Sequence, residues 1–127
     1  MAKKKIKKAF LVCSVRNATP EQKAAAEFYV KNLEAKGYKV HWPPRDTNQD
    51  DLIGLRICSD NRAAIKNADE IHIMWDQNSQ GSLFDIGIAF ALEKKVILAN
   101  PNAVQPTQNK SFANVLLLLD SANAVKK

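Results

Sequence analysis

The stretch AFLVCSVRNATPEQ, residues 9–22, decides the fold. Its first five residues form an unbroken apolar run, typical of a strand buried on both faces, and we predict a strand over residues 6–13. Thr19, Pro20 and Gln22 then supply an N-cap, a first-turn proline and a capping-box partner. We therefore predict a helix that runs to Lys36 and ends at Gly37, with residues 14–18 as the connecting turn.

The same alternation of strand and helix continues along the chain. We predict strands over residues 38–42, 69–75 and 95–99, separated by a helix from Asp50 or Asp51 to about Ala68 and a helix over residues 82–94. Residues 43–50, 76–81 and 100–110 are predicted loops. Residues 112–119 fit either a fifth strand or a helix capped by Ser111. Helical spacing of the apolar residues favours the helix, namely Phe112, Val115, Leu116 and Leu119.

Alternating strands and helices of these lengths predict an α/β fold with a parallel sheet and right-handed crossovers. We expect a flavodoxin-like or Rossmann-like three-layer sandwich, with four or five strands in the order 2-1-3-4. In such a sheet the ligand crevice lies where the strand order reverses, at the carboxyl ends of strands one and three. Residues 14–18 and 76–82 are therefore the loops expected to line a binding site.

Composition limits the classes of function. The 127 residues predict one domain over residues 1–127, with basic tails at about 1–5 and 124–127. The formal charge is +6, but seven lysines lie at the two ends, and the rest of the chain has 12 basic and 13 acidic residues. A nucleic-acid partner is therefore not expected. The longest apolar run, residues 115–119, is far shorter than the ~20 residues of a membrane span, so we predict a cytoplasmic protein without a membrane partner.

No metal or cofactor site is expected from the sequence. His41 and His72 are isolated within apolar stretches, which is more typical of buried strand histidines than of metal ligands. Cys13 and Cys58 are far apart in a chain of cytosolic character, so both are expected to be reduced.

Two polar residues lie on otherwise apolar helical stripes. Asn61 shares a predicted stripe with Ile53, Ile57, Ala64, Ile65 and Ala68. Asp85 shares one with Phe84, Ile88, Ala89 and Leu92, on a helix that begins at the expected crevice. Burial disfavours ionisation of Asp85, whereas the helix N-terminus favours it, and this balance suits a catalytic carboxylate as well as an ordinary helix-dipole aspartate.

Residues 9–98 resemble the nucleoside 2-deoxyribosyltransferases, a family that includes the 2′-deoxynucleoside 5′-phosphate N-hydrolases. The family's Gly-Ser-Ile-Arg turn reads Cys13-Ser14-Val15-Arg16 here, and its Asp-x7-Asp pattern reads Asn61 and Asp69. The family's Ser-x-Gly loop and Tyr-Glu-Leu-Gly helix start read Ser79-Gln80-Gly81 and Phe84-Asp85-Ile86-Gly87. The motifs occur in the family's order, with no gap between Asn61 and Gly87.

The resemblance implies a role for each matching residue. Asp85 matches the nucleophilic glutamate that attacks C1′ of the deoxyribose, and Asn61 matches a catalytic aspartate. Ser14, Arg16 and Ser79 match residues that hold the 5′-phosphate. The remaining candidate contacts to a small-molecule nucleoside or nucleotide are Val15, Asp60, Trp75, Gly81, Ser82 and Ser111. The family's members are homodimers or larger homo-oligomers, and Ser111 and Phe112 are the segment expected to reach a neighbour.

Both residues of the catalytic pair depart from the family pattern. Asp85 is one methylene shorter than glutamate, and misplacing a reacting atom by about 1 Å can cost roughly a hundredfold in rate. Asn61 can hydrogen-bond a base but cannot transfer a proton to it. The sequence therefore leaves three functions open: an enzyme acting on the N-glycosidic bond, a nucleotide-binding module without turnover, and a basic-tailed scaffold on nucleic acid.

Overall fold

A computed structural model describes the backbone of residues 5–125 and the side chains of residues 5–122. The described residues contain a parallel sheet of four strands in the order β2-β1-β3-β4, which confirms the predicted order. The strands are β1 (Lys8–Val12), β2 (Lys39–His41), β3 (Glu70–Ile73) and β4 (Lys95–Leu98). Of the predicted basic tails, residues 1–4 and 126–127 lie outside the described residues.

Five helices accompany the strands in this part of the chain. They are α1 (Pro20–Ala35), α2 (Pro43–Asp46), α3 (Leu55–Asn67), α4 (Gln80–Ala91) and α5 (Phe112–Val125), and a 3-10 turn spans Pro101–Ala103. The ambiguous segment after residue 110 is thus a helix, and Ser111 caps it by accepting a hydrogen bond from the Asn114 amide at 3.1 Å. Among residues 5–125, no helix combines the length and the apolar character needed to cross a bilayer.

The sheet separates two apolar clusters. On one face, α1 packs Ala26, Val30 and Leu33 against alternate residues of β1 and β2. On the opposite face, Ile65 of α3 and Ala89 of α4 pack against the other alternate residues of β1 and β3. Because β1 and β3 are buried over nearly all of their length and β4 over half of it, helices have to cover both faces, and the predicted three-layer α/β fold is confirmed.

The start of α1 follows its local sequence. The Gln22 amide donates to Thr19 Oγ1 at 3.1 Å, and the Thr19 amide donates to Gln22 Oε1 at 2.8 Å, so the predicted capping box is present. The helix ends before Gly37, whose φ of +94° requires the left-handed conformation. The first strand, turn and helix are therefore correctly predicted from residues 9–22.

The predicted start of α3 is wrong by about one turn. The helix begins after Gly54, whose φ is +96°, and not at residue 50 or 51. The Asp51 carboxylate still caps it, because it accepts from the Arg56 and Ile57 amides at 2.9 and 3.1 Å across the intervening turn. As a result Ile53, predicted on the buried stripe, is fully exposed.

The predicted inner face of α4 is also wrong in part. Phe84 and Leu92 are exposed, whereas Ser82 and Ala89 are buried. Asp85 stays on the inner side, since it follows Ser82 by three residues and precedes Ala89 by four. The helix is apolar on almost every side, and for that reason periodicity could not identify the face that contacts the sheet.

Two loops contain structure that the sequence did not predict. Pro43 and Pro44 occupy the first turn of α2, where a missing N–H costs little, so the residues that stop β2 also begin a short helix. Residues 101–103 form the 3-10 turn within the predicted loop before α5. In α5, Phe112 and Val115 are exposed and Leu116 is buried, so only part of its predicted apolar face is covered.

Candidate functional site

The loops after β1 and β3 meet at the predicted crevice. Ser14 Oγ donates to Asp76 Oδ2 at 2.5 Å, and the Gln22 side-chain amide donates to the same oxygen at 3.2 Å. The hydrogen bond from Ser14, followed by one from the Asn78 amide, holds the pKa of Asp76 below its usual range. Asp76 is thus a fixed carboxylate that ties the first loop to the second.

Arg16 lies in the first of these loops with its guanidinium exposed. Within residues 5–122, no carboxylate or carbonyl pairs with it, whereas Arg45 and Arg56 each bind several acceptors. Val15, next to it, is half-buried. An unpaired guanidinium beside a serine hydroxyl is a suitable arrangement for binding a phosphate.

Asp85 is half-buried on α4 and makes no hydrogen bond or ion pair with any described residue. Burial raises the pKa of Asp85 to about 7. The neighbouring Cys13 thiol, at the end of β1, has a pKa raised to about 11 by burial and further raised by the charge of Asp85. A carboxyl group with no charge partner at the switch point of the sheet is a functional-site candidate.

Two other polar atoms, one after β2 and one at the start of α4, are buried and unsatisfied. Ser82 Oγ and Trp42 Nε1 have no hydrogen-bond partner among the described residues. The Trp42 indole lowers the pKa of the Cys13 thiol, but the two side chains make no hydrogen bond of standard geometry. Most buried polar groups in proteins are paired, so the unsatisfied Ser82 Oγ, three residues before Asp85 on α4, and Trp42 Nε1, beside Cys13, indicate a place for a ligand.

Asn61 is buried on α3, which packs against α4 and β1. Its Oδ1 accepts a hydrogen bond from Thr47 Oγ1 at 2.7 Å, and Thr47 Oγ1 lies 2.7 Å from His41 Nε2. The predicted placement of Asn61 on the inner stripe is confirmed. Its two neighbours in this chain of hydrogen bonds were not singled out in the sequence.

Ser79 and Gly81 lie at the start of α4, Ser111 lies at the start of α5, and Trp75 follows β3. Ser79 caps α4 by accepting from the Ser82 amide at 3.2 Å, and Gly81 is exposed in the first turn. Asn100 holds the backbone of Trp75, accepting from its N–H at 2.7 Å and donating to its carbonyl at 3.0 Å.

A cavity of about 540 Å³ lies between the loop after β3 and the start of α5. Trp75 and Ser111 line it, but Asp85, Asn61 and Ser14 do not. The other lining residues are Asp76, Gln77, Asn78, Leu83, Ala103, Gln105, Thr107, Phe112 and Ala113. The predicted residues outside α3 thus divide into a group on the loop after β1 and the first turns of α4 and a group around this cavity. Asp76, in the loop after β3, contacts Ser14 of the first group and lines the cavity.

Asp60 is separate from both groups in its contacts. Its exposed carboxylate pairs with Arg56 one turn earlier on α3, at 3.4 Å. Within the described part of the chain, no cluster of three or more histidine, cysteine or acidic residues could hold a metal ion.

Sequence reasoning did not single out Asp76, Thr47 or His41 as site residues. Asp76 directly follows the strand whose end was expected to line the crevice, so the switch-point rule could have found it. Thr47 and His41 act through contacts made by the folded chain, and no local pattern marks them.

Comparison with known proteins identifies the family of this fold. Residues 11–119 match the family described as Nucleoside 2-deoxyribosyltransferase. Among solved structures, the chain is similar to BcmB, a CMP N-glycosidase of Clostridium botulinum, with 28% sequence identity and a TM-score of 0.54. That match covers 72% of this chain and 70% of BcmB. No curated protein sequence is significantly similar to the chain.

Proposed function

The chain belongs to the nucleoside 2-deoxyribosyltransferase family, and from that premise we propose that it cleaves the N-glycosidic bond of a nucleoside or of its 5′-monophosphate. The observation that carries the proposal is the carboxyl group of Asp85, half-buried at the switch-point crevice without a charge partner. Similarity to a CMP N-glycosidase supports the same class of reaction.

In this proposal the ionised Asp85 carboxylate attacks C1′ of the sugar. The bond from C1′ to the base nitrogen breaks, and the base leaves with its electron pair and takes a proton from water. The resulting glycosyl ester is then cleaved by water, which returns the carboxylate. Since the transition state resembles a cationic oxocarbenium ion, an unpaired carboxylate in a partly desolvated site would stabilise it strongly.

The phosphate of a monophosphate substrate is assigned to the loop after β1. Arg16 offers an unpaired guanidinium there, and Ser14 and Ser79 lie at the same crevice. The first turn of α4 adds backbone amides at the positive end of a helix. Trp75 and the cavity beside it are assigned to the rest of the ligand.

The second candidate function is nucleotide binding without turnover. The raised pKa of Asp85, about 7, favours it, because a carboxyl group that is half-protonated near neutral pH is a weak nucleophile. The side chain of Asp85, one methylene shorter than glutamate, and the amide of Asn61, which cannot transfer a proton to a base, also favour binding without turnover.

Release of free base separates the two functions. Purified protein is incubated with CMP, dCMP and unphosphorylated deoxynucleosides, and products are followed by chromatography. We expect base release from at least one monophosphate, and at least a hundredfold less from Asp85→Asn. Asp50→Asn is the control, since this exposed aspartate lies in the loop before α3. Binding of a monophosphate without any base release would support the binding module instead.

Asp85→Glu tests the missing methylene. A weakened enzyme should gain turnover when the longer carboxylate reaches C1′, whereas a binding pocket shaped around aspartate should lose affinity through overpacking. The two candidate functions therefore predict opposite directions for the same variant.

A further inference from the structure

A line of hydrogen bonds leads from the end of β2 to Asn61. His41 Nε2, Thr47 Oγ1 and Asn61 Oδ1 follow one another at 2.7 Å each, and Thr47 and Asn61 are more than nine-tenths buried. His41 is stacked on Phe10, with ring centroids 5.3 Å apart and planes inclined by 6°. This stack fixes the imidazole and, through it, the direction of the hydrogen bonds.

The order of donors along this line follows from the hydrogen count. Thr47 has a single hydroxyl proton, which it donates to Asn61 Oδ1. Thr47 Oγ1 must then accept from His41, so Nε2 carries the proton of the imidazole ring. Burial lowers the pKa of His41, which favours the neutral ring, and the hydrogen bond to Thr47 sets its tautomer.

The consequence for Asn61 is that its oxygen is occupied and its nitrogen is not. Within residues 5–122, no group accepts a hydrogen bond from Nδ2, although the side chain is only 6% exposed. Without Thr47 the amide could rotate and present either its oxygen or its nitrogen. With Thr47 in place, the Asn61 amide offers a ligand only the N–H donors of Nδ2.

We propose that His41 and Thr47 are positioning residues that hold Asn61 as a dedicated hydrogen-bond donor, so that the site selects a ligand with an acceptor atom facing α3. The inference rests on the proposed function, because it assumes that a nucleoside or nucleotide occupies the crevice. The acceptor is either a base atom, such as a carbonyl oxygen or ring nitrogen, or the 2′-hydroxyl oxygen of the sugar.

The test compares affinities for CMP, dCMP and ribose 5-phosphate, measured by calorimetry on the full chain. Thr47→Val keeps the shape of the side chain and removes the hydroxyl, and His41→Phe keeps the stacked ring and removes Nε2. We expect each variant to bind CMP roughly tenfold more weakly. Tyr38→Phe is the control, since it removes a hydroxyl bonded to Glu70 at the other end of the sheet.

The pattern across ligands identifies the acceptor. If it belongs to the base, CMP and dCMP weaken equally while ribose 5-phosphate is unaffected. If it is the 2′-hydroxyl oxygen, CMP and ribose 5-phosphate weaken while dCMP is unaffected. Either pattern supports the inference. An equal loss of affinity for all three ligands overturns it, and so does unchanged affinity in Thr47→Val and His41→Phe when both variants are folded. Wild-type protein that binds none of the ligands would instead overturn the proposed function, and the inference with it.

Discussion

The two ends of the sheet bury polar groups in opposite ways. Toward the amino ends of the strands, Glu70 at the start of β3 lies under α1 together with His72 two residues later, and every polar atom of their side chains has a partner. At the carboxyl ends, Asp85, Ser82 and the Trp42 indole are partly or fully buried without partners among the described residues.

The network at the amino ends is satisfied in both hydrogen bonding and charge. His72 lies between Tyr29 Oη, 2.5 Å from Nδ1, and Glu70 Oε1, 2.9 Å from Nε2. Tyr38 also donates to Glu70 at 3.0 Å, and Lys7 and Lys95 pair with the second carboxylate oxygen of Glu70. Burial alone would raise the pKa of Glu70, but the hydrogen bonds from His72 and Tyr38 outweigh it and hold the pKa below its usual value.

The difference separates buried polar residues that stabilise the fold by pairing with one another from those that are left available to a ligand. A buried polar group without a partner lowers stability, so it persists where another molecule completes it. By this criterion the carboxyl ends of the strands are the functional edge, and the amino ends are structural.

The largest expected effect is on the structural end. Glu70→Gln leaves Lys7 and Lys95 without their carboxylate and weakens the hydrogen bonds of His72 and Tyr38, so we expect a loss of about 2 to 4 kcal/mol in the free energy of unfolding. Urea titration at pH 7 measures it. Glu27→Gln, which breaks only the exposed pair with Lys31, should cost less than about 0.5 kcal/mol.

Acid should act on the same network. The pKa values of Glu70 and His72 are both lowered in the folded state, so their stabilisation is present above the unfolded values of 4.5 and 6.5 and is lost as the pH falls through the lowered values. The wild type should therefore lose unfolding free energy between pH 7 and pH 4, and the double variant Glu70→Gln His72→Gln, which lacks both titrating groups, should lose less. Equal losses in the two proteins would contradict a structural role for this network.

The next effect concerns ligand affinity at the functional end. Arg16→Ala should weaken binding of a 5′-monophosphate by about 1.5 to 3 kcal/mol and leave the unphosphorylated nucleoside unchanged. The melting temperature should not change, because the guanidinium makes no hydrogen bond or ion pair within the described residues. If both ligands weaken alike, Arg16 supports the loop and does not bind the phosphate.

The smallest effect is a gain in stability. The pKa of Asp85 is raised from 3.8 to about 7 by burial, so its destabilising effect is absent below pH 4, grows between pH 4 and 7, and is complete above pH 7. The free energy of unfolding of Asp85→Asn should therefore be about 1 to 2 kcal/mol higher than that of the wild type at pH 8. At pH 4 the two values should be equal. A variant that is less stable at pH 8 would identify Asp85 as a structural residue.

The sequence predicted those parts of the fold that depend on neighbours along the chain. The capping box of Thr19 and Gln22 and the left-handed Gly37 act within a few residues, so their pattern specifies the ends of α1. The start of α3 was misplaced because Asp51 caps it from across Gly54. The face of α4 could not be predicted, since its apolar residues surround the helix and only packing selects Ser82 over Phe84.

The candidate site was predictable in its location and only partly in its contents. The order of strands placed it at the loops after β1 and β3, where Ser14 and Asp76 meet. That contact joins residues 62 apart in sequence, and the bond of Thr47 to Asn61 joins two elements with a turn between them. Such pairs arise from the folded arrangement, and no spacing rule in a single sequence anticipates them.

The helix that follows β4 has a consequence for self-association. The Leu98 amide, on the outer edge of the sheet, donates to Asp120 of α5 at 2.9 Å, and Leu116 of the same helix is buried. A strand from another molecule could extend the sheet at this edge only if α5 left it, which would break that hydrogen bond and expose Leu116 to water. Edge-to-edge growth of the kind that leads to fibrils is therefore blocked on this side by a helix.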